Sequence, residues 1–306
     1  MPAEIVNPQL GWNLLSDVSE LVEYHFMVNA LLAGAVVAVM AGVAGWVMVL
    51  RRETFAGHTL SMMAFPGAGA AALIGVPAAW GYFASCTVGA VTIGRLSGRG
   101  RGAWSEQSAG IGAVQAAALA AGFLFVSLYG GVLGDLENRL FGTFLGVSDG
   151  KLLMLVGVAA AVLVTLAVLA RPLLFASVDA EVADARGVPV RALSSAFLLL
   201  LGLAVAATSQ VTGVLLVLAL LVGPAASAQA ITARPVPSLV LTIAIGLLVV
   251  WLGLGISYFS VYPAGFFIAT TSFVVYLLAR VLSAALSGRR RQAPPAAGPP
   301  PRGVIA

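Results

Sequence analysis

Two histidines occur among the 306 residues, and the second is placed where it could do chemistry. His25 precedes the first long apolar run and reads as an interfacial residue. His58 lies within a run, six residues past Arg52, which is on the order of 9 Å deeper along a helix. Met62 follows four residues later on the same helical face, with Met63 beside it. Imidazole and thioether are both transition-metal ligands, so His58 and Met62 can offer a soft pair to a metal ion. A buried histidine bonded to a backbone carbonyl, beside two gap-filling methionines, fits the same residues. Pro66-Gly67 comes next. Proline removes a backbone donor, and helix breaks at membrane depth often line cavities or substrate paths. Gly213 and Gly223-Pro224 repeat the pattern. The small residues around both breaks, 67–72 and 225–230, also suit close helix packing.

The elements that hold these residues follow from composition. The chain is 60% hydrophobic and 9% charged, too poor in charge to cover a solvated surface. That excludes a soluble enzyme, a disulfide-framed secreted domain and a disordered tail protein. One cysteine, Cys86, excludes an intrachain disulfide and any multi-cysteine metal site. Apolar runs at about 26–50, 58–77, 79–96, 107–129, 151–170, 193–209, 211–231, 238–259 and 262–285 predict transmembrane helices. The fold class is therefore an all-α polytopic membrane protein with about nine spans. Eight to ten are allowed, depending on how 193–231 divides and on whether 131–147 re-enters.

Charge placement sets the orientation. The first 50 residues hold Glu4, Asp17, Glu20 and Glu23 with no Lys or Arg, and Arg51-Arg52 follows the first span. The positive-inside rule then puts the amino terminus outside and the carboxyl terminus in the cytoplasm. Nine crossings place Arg95, Arg99, Arg101, Arg171, Arg186, Arg191, Arg234 and Arg289-Arg290-Arg291 inside, leaving Arg139 and Lys151 at the outer side. The triple arginine reads as an anchor at anionic lipid, not a nucleic-acid site. Residues 1–25 read as an outer-face segment, 26–285 as the membrane domain, and 286–306 as a basic, Pro-rich disordered tail.

The loop 171–192 is too polar to cross. Asp179, Glu181 and Asp184 lead to Arg186, the order a helix dipole favours, and Gly187 and Pro189 then stop the helix. On spacing alone it is either a docking surface for a soluble partner or a solvated connector. No phosphate loop of the GxxxxGK[ST] type occurs, and neither HExxH nor GxSxG is present. No Asp, Glu or Lys falls in the middle of a span, which argues against a carboxylate proton relay.

Six segments, in order, resemble the zinc/manganese-type metal-uptake ABC importer permeases. They are FMVNALLAG (26–34), LRR (50–52) with GHTLSMMAFPG (57–67), SEQSAGIG (105–112), LFGTFLGVS (140–148), ARGVPV (185–190) and GVLLVLALLVGPAASA (213–228). The resemblance implies a type II importer fold whose membrane subunit dimerises over two ABC ATPase subunits. It also implies an extracellular metal-binding protein that delivers the cargo. ATP would be bound by the partner only, the chain itself would be no enzyme and hold no covalent cofactor, and residues 178–190 would be the coupling helix. Family members usually carry aspartate where this chain has His58, and histidine where it has Met62. The softer, uncharged pair shifts preference away from manganese toward zinc or another thioether-tolerant ion, or toward a metal chelate. Imidazole binds metal only when unprotonated, so uptake through His58 is expected to weaken in acid. The competing expectation is an ATP-independent secondary transporter or channel.

Overall fold

Backbone polar groups inside a bilayer must be satisfied within their own segment, and the apolar runs accordingly fold as helices. The computed structural model describes residues 21, 23–96, 103–129, 144–214, 216–260 and 262–291. Its helices are α1 (His25–Leu50), α2 (Thr54–Leu73), α3 (Ala78–Leu96), α4 (Ala103–Tyr129) and α5 (Asp149–Val178). There follow α6 (Ala180–Ala185), α7 (Val190–Thr212), α8 (Val217–Ile231), α9 (Pro235–Tyr258) and α10 (Ala264–Arg291), with a 3-10 turn at Phe144–Gly146. Apart from the short α6, the described residues form nine long helices, compatible with the about nine spans expected. Six of them, α1, α4, α5, α7, α9 and α10, are long and apolar enough to cross a membrane by themselves. The amino-terminal segment up to residue 20, residues 130–143 of the re-entrant candidate, Arg99, Arg101 and the tail beyond 291 lie outside the described residues.

Side-chain contacts fix which helix ends meet. His25, at the start of α1, bonds Asp149 at the start of α5, and Tyr24 lies against Tyr258 at the end of α9. At the opposite end of the bundle, Trp46 Nε1 donates to Ser238 Oγ at 3.0 Å, and Gln229 Nε2 donates to the Trp46 carbonyl at 2.9 Å. Arg51 reaches Ser194 at the same end. α1, α5 and α8 therefore run in one direction and α7 and α9 in the other, the alternation that nine crossings would give these helices. α1 and α7 form the centre and are more than half buried, whereas α4, α5 and α10 turn large apolar side chains such as Phe123, Val168 and Leu278 outward. That outer surface suits lipid.

Four boundaries differ from the sequence expectation. First, α2 starts at Thr54, so His58 is only its fifth residue, about 6 Å along the axis. Second, α5 runs on through Arg171 and Pro172 to Val178, since Leu173 and Ala176 still find buried positions, and the connecting loop starts at Asp179. Third, α10 continues through the triple arginine to Arg291, into the segment expected to be disordered. Fourth, the expected breaks at Pro66, Gly67, Gly223 and Pro224 are not breaks. α2 runs through Pro66 and α8 through Pro224. Each proline removes one N–H from the ladder, and close packing on the neighbouring helices holds the helix together.

The chain does break at Gly213. Its backbone (φ 75°, ψ 164°) is essentially open to glycine only, and it ends α7. α8 then has 15 residues, about 22 Å, which is short of the ~30 Å hydrocarbon thickness. Val214 and Leu216 of the link are almost fully buried, so this irregular backbone is shielded by protein.

Candidate functional site

α2 carries the first set of candidate residues. His58 is half-buried, and its Nδ1 is buried with no hydrogen-bond partner among the described residues. The backbone-bonded histidine that the sequence also allowed is thus not seen at Nδ1. One helical turn on, Met62 is half-buried at the edge of the core. The neighbouring polar groups are committed elsewhere. Ser61 Oγ donates to the His58 carbonyl at 2.7 Å, and Thr59 Oγ1 donates to Gln115 Oε1 of α4 at 3.1 Å. Among the described residues no three His, Cys, Asp or Glu side chains stand together as a metal cage. What α2 can offer a cation on the His58 face is one imidazole and the Met62 thioether, without a carboxylate.

Pro66 and Gly67 look toward α3 and α4. With Met63, Trp80, Ser85 and Phe125 they line an almost wholly apolar hollow of about 450 Å³. Gly67 and Gly81 bring α2 and α3 together backbone to backbone, since a Cβ on either would collide with the other's carbonyl. Gly223 is held against Ser272 of α10, whose hydroxyl donates to the Ala219 carbonyl at 2.9 Å. Gly67 and Gly223 therefore serve helix packing, whatever else they line.

The second set forms a small external element. Asp179 caps α6 by accepting from the Val182 N–H at 2.9 Å, and Glu181 lies in the first turn. Arg186 is the C-cap, Gly187 takes φ 83° to close the end, and Pro189 starts α7. Asp179, Glu181, Asp184, Arg186, Gly187 and Pro189 are all exposed, while Ala183 is fully buried and seats the helix. A short helix with one anchored side chain and a bare polar face is a surface another protein can grip.

Comparison with known proteins decides the family. The ABC 3 transport family matches this chain over residues 23–283. The chain belongs to the ABC 3 transport family. The ABC 3 chain is 32% identical to the manganese transport system membrane protein MntC of Halalkalibacterium halodurans, over 72% of this chain and 75% of that protein. It is 29% identical to the manganese import system permease protein ScaB of Streptococcus parasanguinis, over 86% of this chain and 92% of that one. Among solved structures it resembles PsaBC from Streptococcus pneumoniae in complex with Fab. The TM-score is 0.78 at 26% identity, with 90% of this chain and 99% of that chain covered. It is thus a metal-transport ABC permease by family, and a multi-pass membrane protein by fold.

Two features of this ABC 3 permease were not legible in its sequence. His25 Nε2 lies 3.1 Å from Asp149 Oδ1, and Asn29 Nδ2 donates to the same oxygen at 2.6 Å and to the Val147 carbonyl at 3.4 Å. His25 is thus part of an exposed clasp between α1 and α5, and no local pattern signals a partner 124 residues away. Arg51, a loop charge by sequence, has a side chain only 8% exposed. Its Nε and Nη2 donate to Glu53 Oε1 at 3.1 and 2.9 Å, and Nη2 also donates to Ser194 Oγ at 2.6 Å. Glu53 Oε2 is buried without a partner among the described residues. Burial pushes the Glu53 carboxyl above the ordinary carboxylate range, and Arg51 pulls it part of the way back.

Proposed function

We propose that this chain is the membrane subunit of an ATP-driven importer for a divalent transition metal, zinc or manganese by family, and forms the path as a dimer. The observation that carries the reading is the unpaired, buried His58 Nδ1 one turn before Met62, in a chain of the metal-transport ABC family. The manganese named for the relatives supports a metal cargo. The uncharged imidazole–thioether pair favours softer ions, zinc first. In this reading the protein sits in the plasma membrane with its amino terminus outside, the basic tail from about residue 286 inside, and a metal-binding protein delivering cargo at the outer face. The ATPase docks on α6, where Asp179, Glu181, Asp184, Arg186, Gly187 and Pro189 form the coupling element. ATP stays on that partner.

The His58 imidazole and the Met62 sulfur would exchange for part of the ion's hydration shell as it passes. The test is uptake of zinc(II) and manganese(II) into vesicles holding the permease with its ATPase, comparing His58→Ala and Met62→Ala with wild type. Each variant should lose about tenfold or more, since even the groups that merely support a metal ligand are worth 10–100-fold. Wild-type rates in both would remove these residues from the path.

A further inference from the structure

The α1–α2 turn is built more rigidly than a connecting loop requires. Arg51 ends α1 with a side chain only 8% exposed, and its guanidinium carbon lies 5.4 Å from the centre of the Phe197 ring, within cation–π range. Its ion pair with Glu53 and its bond to Ser194 satisfy a charge whose burial would otherwise be unfavourable. Arg52 between them adopts φ 59°, a left-handed conformation that a non-glycine residue rarely takes. The turn closes by Arg52 N donating to the Val49 carbonyl at 3.1 Å and Glu53 N to the Met48 carbonyl at 3.0 Å. The same closure ends α6, where glycine fills the left-handed position: Gly187 N to the Asp184 carbonyl, 2.9 Å, and Val188 N to the Ala183 carbonyl, 3.0 Å.

Three elements meet at this cluster. Arg51 caps α1, Glu53 directly precedes α2, and Ser194 and Phe197 belong to the first two turns of α7. Only residues 186–189 separate α6 from α7, and Gly187 and Pro189 fix their path. There is little slack between α6 and Ser194, and none between Glu53 and α2. We propose that Arg51, Glu53 and Ser194 form a brace that carries displacement of α6 to the start of α2, and so to His58 and Met62. Arg51 and Ser194 are then positioning residues for transport. They act through α2 without touching cargo or nucleotide. The inference rests on the importer reading above.

The test uses the permease–ATPase complex in vesicles, measuring zinc(II) and manganese(II) uptake and ATP hydrolysis together. Ser194→Ala removes only a hydroxyl, leaving the Arg51–Glu53 pair, so folding is little disturbed. Ser194→Thr keeps the hydroxyl, and Arg51→Lys keeps the charge but loses the fork. The brace predicts that metal transported per ATP falls at least fivefold in Ser194→Ala and Arg51→Lys, the lower range of coupling between sites, and is kept in Ser194→Thr. An unchanged ratio in Ser194→Ala and Arg51→Lys, or uptake and hydrolysis falling together with the amount of intact complex, overturns the brace alone. No ATP-driven uptake by wild type overturns the importer reading and the brace with it.

Discussion

Individual residues carry much of the meaning here because charged and polar groups are so scarce. Glu53 shows how burial reshapes one of them. Its folded-state carboxyl value is raised above the unfolded one, so the protonated form is favoured by folding. Stability from this group is complete below the unfolded carboxyl value and is lost as pH rises through the folded one. Glu53→Gln abolishes that dependence. In detergent, wild-type melting temperature should therefore fall relative to Glu53→Gln as pH rises through and just above the carboxylate range. Parallel curves would contradict the assignment. The residue scale is also where the sequence says least. Its types are visible, and the scarcity of histidine pointed directly to His58. That the Arg51 side chain is buried depends on Ser194 and Phe197, more than 140 residues away, and no local pattern encodes such a meeting.

At the scale of elements, the helices were readable because apolar runs between charges must fold as helices in lipid. Their ends were less so. Of the breaks the sequence suggests, those at Pro66 and Pro224 are carried through by tight neighbours, while the one at Gly213 is real, because the backbone there demands glycine. The Gly67–Gly81 crossing gives a direct test of such packing. Gly81→Val places side-chain atoms against a backbone carbonyl that cannot yield, so it should destabilise the purified protein by about 1–3 kcal/mol, typical of overpacking. An unchanged melting temperature would show that α2 and α3 do not cross this closely. For α6, Asp179→Ala removes the N-cap, worth about 1 kcal/mol, and should weaken retention of the ATPase during purification, while Asp179→Asn should restore it. Equal retention by both variants and wild type would separate α6 from docking.

For the molecule as a whole, sequence supplied the class and the family, and its about nine spans are compatible with the long helices of the described residues, since all rest on hydropathy and on ordered motifs. The family match over residues 23–283 and the 0.78 TM-score to PsaBC agree with that reading. The departure lies in the path. A chain with so few charges keeps, on the helix proposed to meet the metal, one imidazole, the thioethers of Met62 and Met63, and no carboxylate. α2 itself therefore offers a cation no fixed negative charge. The most direct measurement is radiolabelled zinc(II) and manganese(II) uptake into vesicles that contain this chain alone or with its ATPase, with and without ATP. The account predicts uptake only when the ATPase and ATP are both present. Uptake by the chain alone under a proton gradient would contradict it.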